Sequence, residues 1–181
     1  MMLVAKLPSE KVAKLTDEFV SVYRDAFQAA PYHKTDAEID DFVESLERHM
    51  DYQGFRFVCV TDQQTETIMG FAYGFANRPD HFFHVEVAKV AEPDFVEAWL
   101  SNSFRLVEIA VSPTIQGHGV GGQLLDQILH RLPYKKAILA TMAAETIAYK
   151  MYRNRGWQVL IDRAEFPGVV RPYRVMGLSL Q

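Results

Sequence analysis

Between an apolar, strand-like run that ends at Pro113 and an amphipathic helix that begins near Val120 stands the heptapeptide Gln116-Gly117-His118-Gly119-Val120-Gly121-Gly122. Glycine at four of these seven positions leaves the backbone N–H groups unshielded. The helix that follows adds its own unpaired N-terminal donors and the positive end of its dipole. A strand, a bare loop and a helix in this order form a cradle for a pyrophosphate, and no lysine anchor is needed. No Gly-Lys-Ser/Thr follows the loop, which removes the nucleoside-triphosphate reading.

Hydrophobic periodicity places the loop within a mixed α/β chain. Ser9 reads as the N-cap of a helix running to about Phe27, with Val12, Leu15, Phe19, Val22 and Tyr23 on one face. Asp36 starts a second helix through Ile39, Phe42, Val43 and Leu46. Phe55 to Thr61 and Thr67 to Asn77 read as strands of a hairpin joined through Asp62-Gln63-Gln64. The segment Arg78 to Asn102 carries only a short helical pattern at Pro93 to Leu100 and reads as a functional insertion. Phe104 to Val111 is apolar on both faces apart from Arg105 and Glu108, as in a central strand. Val120, Leu124, Leu125, Ile128 and Leu129 then form a helical stripe that stops around Pro133. A strand at Ala137 to Met142, a helix at 146–155 ending at Gly156, a strand at Trp157 to Ile161 and a last strand at Tyr173 to Leu180 complete the chain.

A length of 181 residues with 49% apolar and 23% charged side chains suits one compact domain, 1–181. A formal charge of −4 argues against a nucleic-acid partner bound through a basic face. The start of the chain lacks the apolar core of a signal peptide, and no run approaches the ~18 apolar residues of a membrane span, so a cytoplasmic protein with no membrane partner is expected. Cys59, the only cysteine, lies in an apolar stretch and reads as a buried hydrophobe.

The strand ending in Val-x-Pro, the Gln-x-x-Gly-x-Gly of residues 116–121, and Ala148 followed by Met151-Tyr152-Arg153-Asn154-Arg155-Gly156-Trp157 together resemble the GNAT superfamily of acyl-CoA-dependent N-acyltransferases. The resemblance covers residues 55–180 in order. It implies a mostly antiparallel central sheet flanked by helices, with a splayed parallel strand pair holding acyl-CoA. It implies that Gln116, Gly117, His118, Gly119, Val120, Gly121 and Gly122 bind the CoA pyrophosphate. By the same resemblance Ile109, Ala110 and Val111 bond the pantetheine arm, and Tyr152 faces the thiol. Where many members carry asparagine seven residues before that tyrosine, this chain has Glu145.

Acetyl transfer to an amine requires the neutral amine, and an alkylamine of pKa near 10.4 is only about one part in a few thousand neutral at pH 7. A base is therefore needed, together with a donor for the leaving thiolate and N–H groups for the oxyanion. Glu108 is the candidate base, because a carboxylate inside an apolar strand is costly unless paired, protonated or wetted by a cleft. The structural alternatives are a carboxylate on a solvated strand end or one paired with an arginine such as Arg105; Glu86 and His84 are the other acid–base candidates. Tyr152 is the candidate acid, sharing a helical flank with Ala148 at four-residue spacing so that the two line one narrow slot for the co-substrate. Tyr149 reads as packing. Backbone N–H groups near Ala110 and Val111 are candidates for the oxyanion.

The expected activity is acetyl transfer from acetyl-CoA to a primary amine of a small molecule by direct attack, with no metal. Acidic Asp36, Glu38, Asp40, Asp41 and Glu44, and those in 80–97, are candidates to attract a cationic acceptor, and Pro31-Tyr32 with Phe82-Phe83 to form an aromatic wall. A homodimer is compatible with the sequence. Three competing readings are a non-catalytic acyl-CoA-binding module, a dinucleotide-binding oxidoreductase using Gly117-x-Gly119-x-x-Gly122 with Glu145, and a metal cluster at His81-x-x-His84-x-Glu86.

Overall fold

The computed structural model describes residues 1–180. Among these residues seven strands form one sheet in the order β1-β2-β3-β4-β5-β7-β6. They are β1 (Met2–Leu7), β2 (Arg56–Asp62), β3 (Ile68–Ala76), β4 (Ser103–Val111), β5 (Lys136–Met142), β6 (Gln158–Ala164) and β7 (Tyr173–Ser179). The sheet is mostly antiparallel, as expected, and the expected parallel pair is β4 with β5. Its register runs from Ser103↔Lys136 to Arg105↔Ile138, whereas β4 goes on to Val111 and β5 to Met142. Among the described residues no helix is long and apolar enough to cross a membrane.

The chain resolves into two compact units, Met1–Phe75 with Glu108–His130, and Ala76–Val107 with Arg131–Gln181. In the first, the hairpin read from sequence is present, Phe57 pairing with Tyr73 and Cys59 with Phe71. Side-chain alternation sends those residues to one face and Val58, Val60, Gly70 and Ala72 to the other. On the first face lie helices α2 (Thr16–Phe27) and α3 (Asp36–His49). Phe19 sits 4.6 Å from the Phe57 ring and 5.4 Å from Phe71, and Phe42 stacks on Tyr23. The opposite face receives helix α6 (Val120–Leu129), whose Leu124 meets β3 at Gly70.

The first helix differs from its expected extent. It breaks at Leu15 into α1 (Ser9–Lys14) and α2, and its N-cap is Pro8 rather than Ser9. Thr16 Oγ1 bonds back to the carbonyls of Val12 and Ala13, drawing those acceptors away from a continuous helix. Thr35 heads α3 with a full capping box closed by Glu38. Strand β1 was not anticipated. It pairs with β2 from Met2↔Asp62 to Leu7↔Phe57 and is largely exposed, so its sequence lacks the apolar alternation that marks an inner strand.

Gly70 fixes the approach of β4. A Cβ there would stand 2.8 Å from the Ala110 carbonyl oxygen, a backbone atom that cannot turn aside. Gly70→Ala is therefore expected to cost about 1–3 kcal/mol, as overpacking does, and to lower Tm by roughly 2–12 °C in a chain of this size. A thermal melt checks this; an unchanged Tm would mean that β4 is not seated by that contact.

In the second unit the supposed insertion is ordered: helix α4 (Phe82–Val90), a turn α5 (Pro93–Phe95) and a π-helical turn Val96–Leu100. Phe83, Val87 and Leu100 join Ile138, Ala164 and Val175 in a core. The short helical pattern expected at Pro93 to Leu100 is present, and α4 adds to it. Helix α7 (Ile147–Asn154) starts at Thr146, whose hydroxyl caps Tyr149 N–H at 3.0 Å, and ends before Gly156 as expected.

Candidate active site

The loop after β4 is built by local bonds. A 3-10 turn, Pro113–Ile115, follows the strand, and the Gln116 amide donates to the Val111 carbonyl at 2.9 Å. His118 Nδ1 lies 3.0 Å from the Gln116 carbonyl, an acceptor, so that nitrogen carries the proton. Gly117 and Gly119 have φ of +80° and +78°, the left-handed region that other residues enter at a cost, and a Cβ on either would meet nothing within 4 Å. The cradle is thus open as well as glycine-dependent. Gly119 is the N-cap of α6, and the first bond of that helix runs from Gln123 N–H to the Gly119 carbonyl. The N–H groups of Val120, Gly121 and Gly122 precede it and point out of the helix start. This arrangement suits the phosphates of a CoA thioester.

Glu108 is half-buried on β4. Its Oε1 accepts a hydrogen bond from the Tyr23 hydroxyl at 3.4 Å, and Tyr23 in turn accepts one from the Lys34 ammonium. Arg105 is three residues from Glu108 on an alternating strand, and its guanidinium lies over the Phe83 ring at 4.3 Å. Tyr23 and Lys34 are the residues that sequence reading missed as site groups. Tyr23 was legible only as one of the apolar face of its helix; the available signal was a hydroxyl on a stripe otherwise of hydrocarbon.

Cys59 is buried on β2, and burial pushes its thiol up, only partly offset by a bond to Thr61. A thiol held protonated is a poor nucleophile. The acidic face of α3 is largely engaged or dispersed: Asp36 pairs with Arg24 at 2.6 Å, Glu38 closes the cap, and Asp40, Asp41 and Glu44 are exposed. Tyr32 packs edge-on against Phe27 at 4.9 Å.

In the second unit, Tyr152 is buried on α7 with its ring 5.7 Å from Trp157, and Ala148 lies one turn earlier, half-buried. Tyr149 lies under the Arg174 guanidinium at 4.2 Å, a packing role as read from sequence. Arg174 also binds Asp162 at 2.9 Å and Glu145 at 3.2 Å, and these bonds, the Asp162 one foremost, raise its already high pKa. Glu145, the departure from the family pattern, is therefore an arginine partner. It does not have the free acid needed for a ribose, and the mostly antiparallel sheet is not that of a doubly wound dinucleotide-binding fold. Phe83 belongs to the core while Phe82 is 56% exposed, so the pair does not form one wall.

His84 Nδ1 meets the Asn77 amide nitrogen at 3.1 Å, which also donates to the Leu100 carbonyl at 2.9 Å. Among the described residues no group of three or more His, Cys, Asp or Glu is arranged to hold a metal. Burial pulls the pKa values of both His81 and His84 below the ordinary 6.5, with Asp80 opposing. The folded chain keeps them neutral while the unfolded chain takes up protons at higher pH. Their contribution to stability is complete above about pH 6.5 and declines as pH falls through that value toward the folded pKa values. Tm is expected to drop between pH 7 and 5, with a smaller drop in His84→Gln; an equal drop in both proteins would remove His84 from the account.

The acetyltransferase (GNAT) family matches residues 14–157. The chain is 26% identical over 121 residues to the GCN5-like protein acetyltransferase Rv2170 of Mycobacterium tuberculosis, a match covering 62% of this chain and 59% of that protein. The chain thus spans less than two thirds of that relative's length. A structure assigned to the GNAT family from Desulfovibrio desulfuricans superposes with a TM-score of 0.70 at 16% identity, covering 99% of both chains. The PaiA N-acetyltransferase of Thermoplasma acidophilum, solved in complex with coenzyme A, superposes with a TM-score of 0.60 at 12% identity, also covering 99% of each.

Proposed function

Because the chain belongs to the acetyltransferase (GNAT) family, we propose that it transfers the acetyl group of acetyl-CoA to a primary amine of a small molecule, by direct attack in a ternary complex. The observation that carries this reading is the open turn at Gly117 and Gly119, which presents three successive N–H groups at the start of α6. The complex of PaiA with coenzyme A supports the same ligand here.

In this reading residues 116–122 hold the pyrophosphate and β4 residues Ile109, Ala110 and Val111 bond the pantetheine arm, with N–H groups near Ala110 and Val111 polarising the thioester carbonyl. Glu108, or a water it orders, removes a proton from the amine as its nitrogen attacks the carbonyl carbon. The C–S bond then breaks, and the Tyr152 hydroxyl, protonated at neutral pH in an ordinary tyrosine, supplies a proton to the leaving thiolate. Ala148 leaves room beside it. Direct attack is favoured over an acyl-enzyme because the buried Cys59 thiol is held neutral. A cytoplasmic setting fits these substrates.

The test is calorimetric titration with acetyl-CoA, CoA and NAD in parallel, followed by thiol release over amine pools. Binding of the CoA species with amine-dependent release of free thiol is expected. Binding without release for any amine would favour a non-catalytic acyl-CoA-binding module, and NAD binding in place of CoA would overturn the reading.

A further inference from the structure

Tyr23 is 1% exposed, and its ring is held on two sides, face to face with Phe42 at 3.9 Å and edge-on to Phe27 at 4.7 Å. A clamped ring leaves the hydroxyl one position. That hydroxyl has a single proton, and Lys34 and Glu108 differ in what they can do with it. An ammonium only donates, so Tyr23 accepts from Lys34, and it donates its own proton to Glu108 Oε1. Lys34 is held in turn. Its backbone N–H bonds to the Phe27 carbonyl at 2.9 Å, and its Nζ lies 4.8 Å and 5.1 Å from the centroids of the Tyr23 and Phe27 rings. The nearby charges of α2 and α3, Arg24 and Asp36, are engaged with each other.

We propose that Tyr23, polarised by Lys34, is the positioning residue of Glu108: it fixes the carboxylate's rotamer and stabilises its ionised form. This inference rests on the reading of Glu108 as the base. A hydrogen bond to the charged form favours that form, and donors polarised by a cation strengthen the bond they make. The connection between α2 and α3 thereby becomes part of the catalytic apparatus, reaching β4 through one buried ring. It also puts a fixed positive charge behind the carboxylate.

The experiment is a double-mutant cycle with pH profiles on the full chain. Tyr23→Phe keeps the packing and removes only the hydroxyl; at 3.4 Å the bond is long, so a loss in kcat of about fivefold to tenfold is expected. KM for acetyl-CoA should not move, and the acidic limb of kcat/KM should shift to higher pH. Lys34→Met should shift the limb the same way, with Lys34→Arg restoring much of it. In a Glu108→Gln background, Tyr23→Phe should change the residual rate little, because its effect passes through the carboxylate. If Tyr23→Phe leaves the acidic limb in place while Glu108→Gln abolishes it, or if it slows the Glu108→Gln protein as much as the native one, Tyr23 does not act through Glu108. If Glu108→Gln leaves kcat and the limb unchanged, the base assignment fails instead. Thermal melts of each variant separate these outcomes from unfolding.

Discussion

Replacing Glu108 with glutamine is expected to lower kcat at neutral pH by about 100-fold or more, the range over which a positioned base contributes. Glutamine has nearly the shape of glutamate, and its carbonyl oxygen can still accept from Tyr23, so the loss reports basicity rather than packing. KM for acetyl-CoA should hold, since the residues proposed to bind it lie in the loop and along the strand. The deficit should also depend on pH. Below its pKa near 10.4 an ammonium acceptor gains about tenfold in neutral form for each unit that the pH rises. The variant's rate should therefore climb with pH and approach that of the native protein near pH 10. A steady-state profile from pH 6 to 10 with an amine found by thiol release measures both quantities. If kcat of the variant stays within a factor of two of native at pH 7, proton removal belongs to another group, and the strand position of Glu108 has a structural cause.

That position was legible because a lone carboxylate in the apolar strand Phe104 to Val111 violates the pattern around it. The same logic did not find Tyr23 or Lys34. Tyr23 conforms to the helical stripe of Phe19 and Val22, and only the three-dimensional pairing of α2 with β4 within the first unit turns its hydroxyl into a site group. Lys34 lies in a connection with no periodicity to violate. The glycine loop was readable to the residue, since positive φ at Gly117 and Gly119 is a backbone demand written directly in side-chain identity.

Elements set by tertiary packing were harder. Helix α4 has no side-chain cap, and its β-branched and aromatic residues have middling helix propensity; Phe83 and Val87, one turn apart, place it in a core formed by residues far along the chain. Strand β1 is specified by the partner edge of β2 more than by its own composition. The departure at Glu145 was visible in sequence, but its partner Arg174, 29 residues on, was not.

Gly121→Asp is the second large effect. Gly121 is in the first turn of α6, after the N-cap, where an aspartate is favourable to the helix because it faces the positive end of the dipole. The same carboxylate would stand among the donors proposed for a pyrophosphate and repel it. Two like charges about 4 Å apart cost about 4 kcal/mol at the effective dielectric of a protein surface, and half of that is enough for a loss of about 30-fold. The expected result is a Kd for CoA raised by at least 30-fold and partly restored by salt, with Tm unchanged or slightly higher. Titration calorimetry at two ionic strengths alongside a melt separates the two effects. Loss of binding with a large fall in Tm would mean that the helix start was damaged, and native Kd with native Tm would place the phosphates elsewhere. An affinity lost while the fold is kept is the outcome that only a cradle at the α6 N-terminus produces.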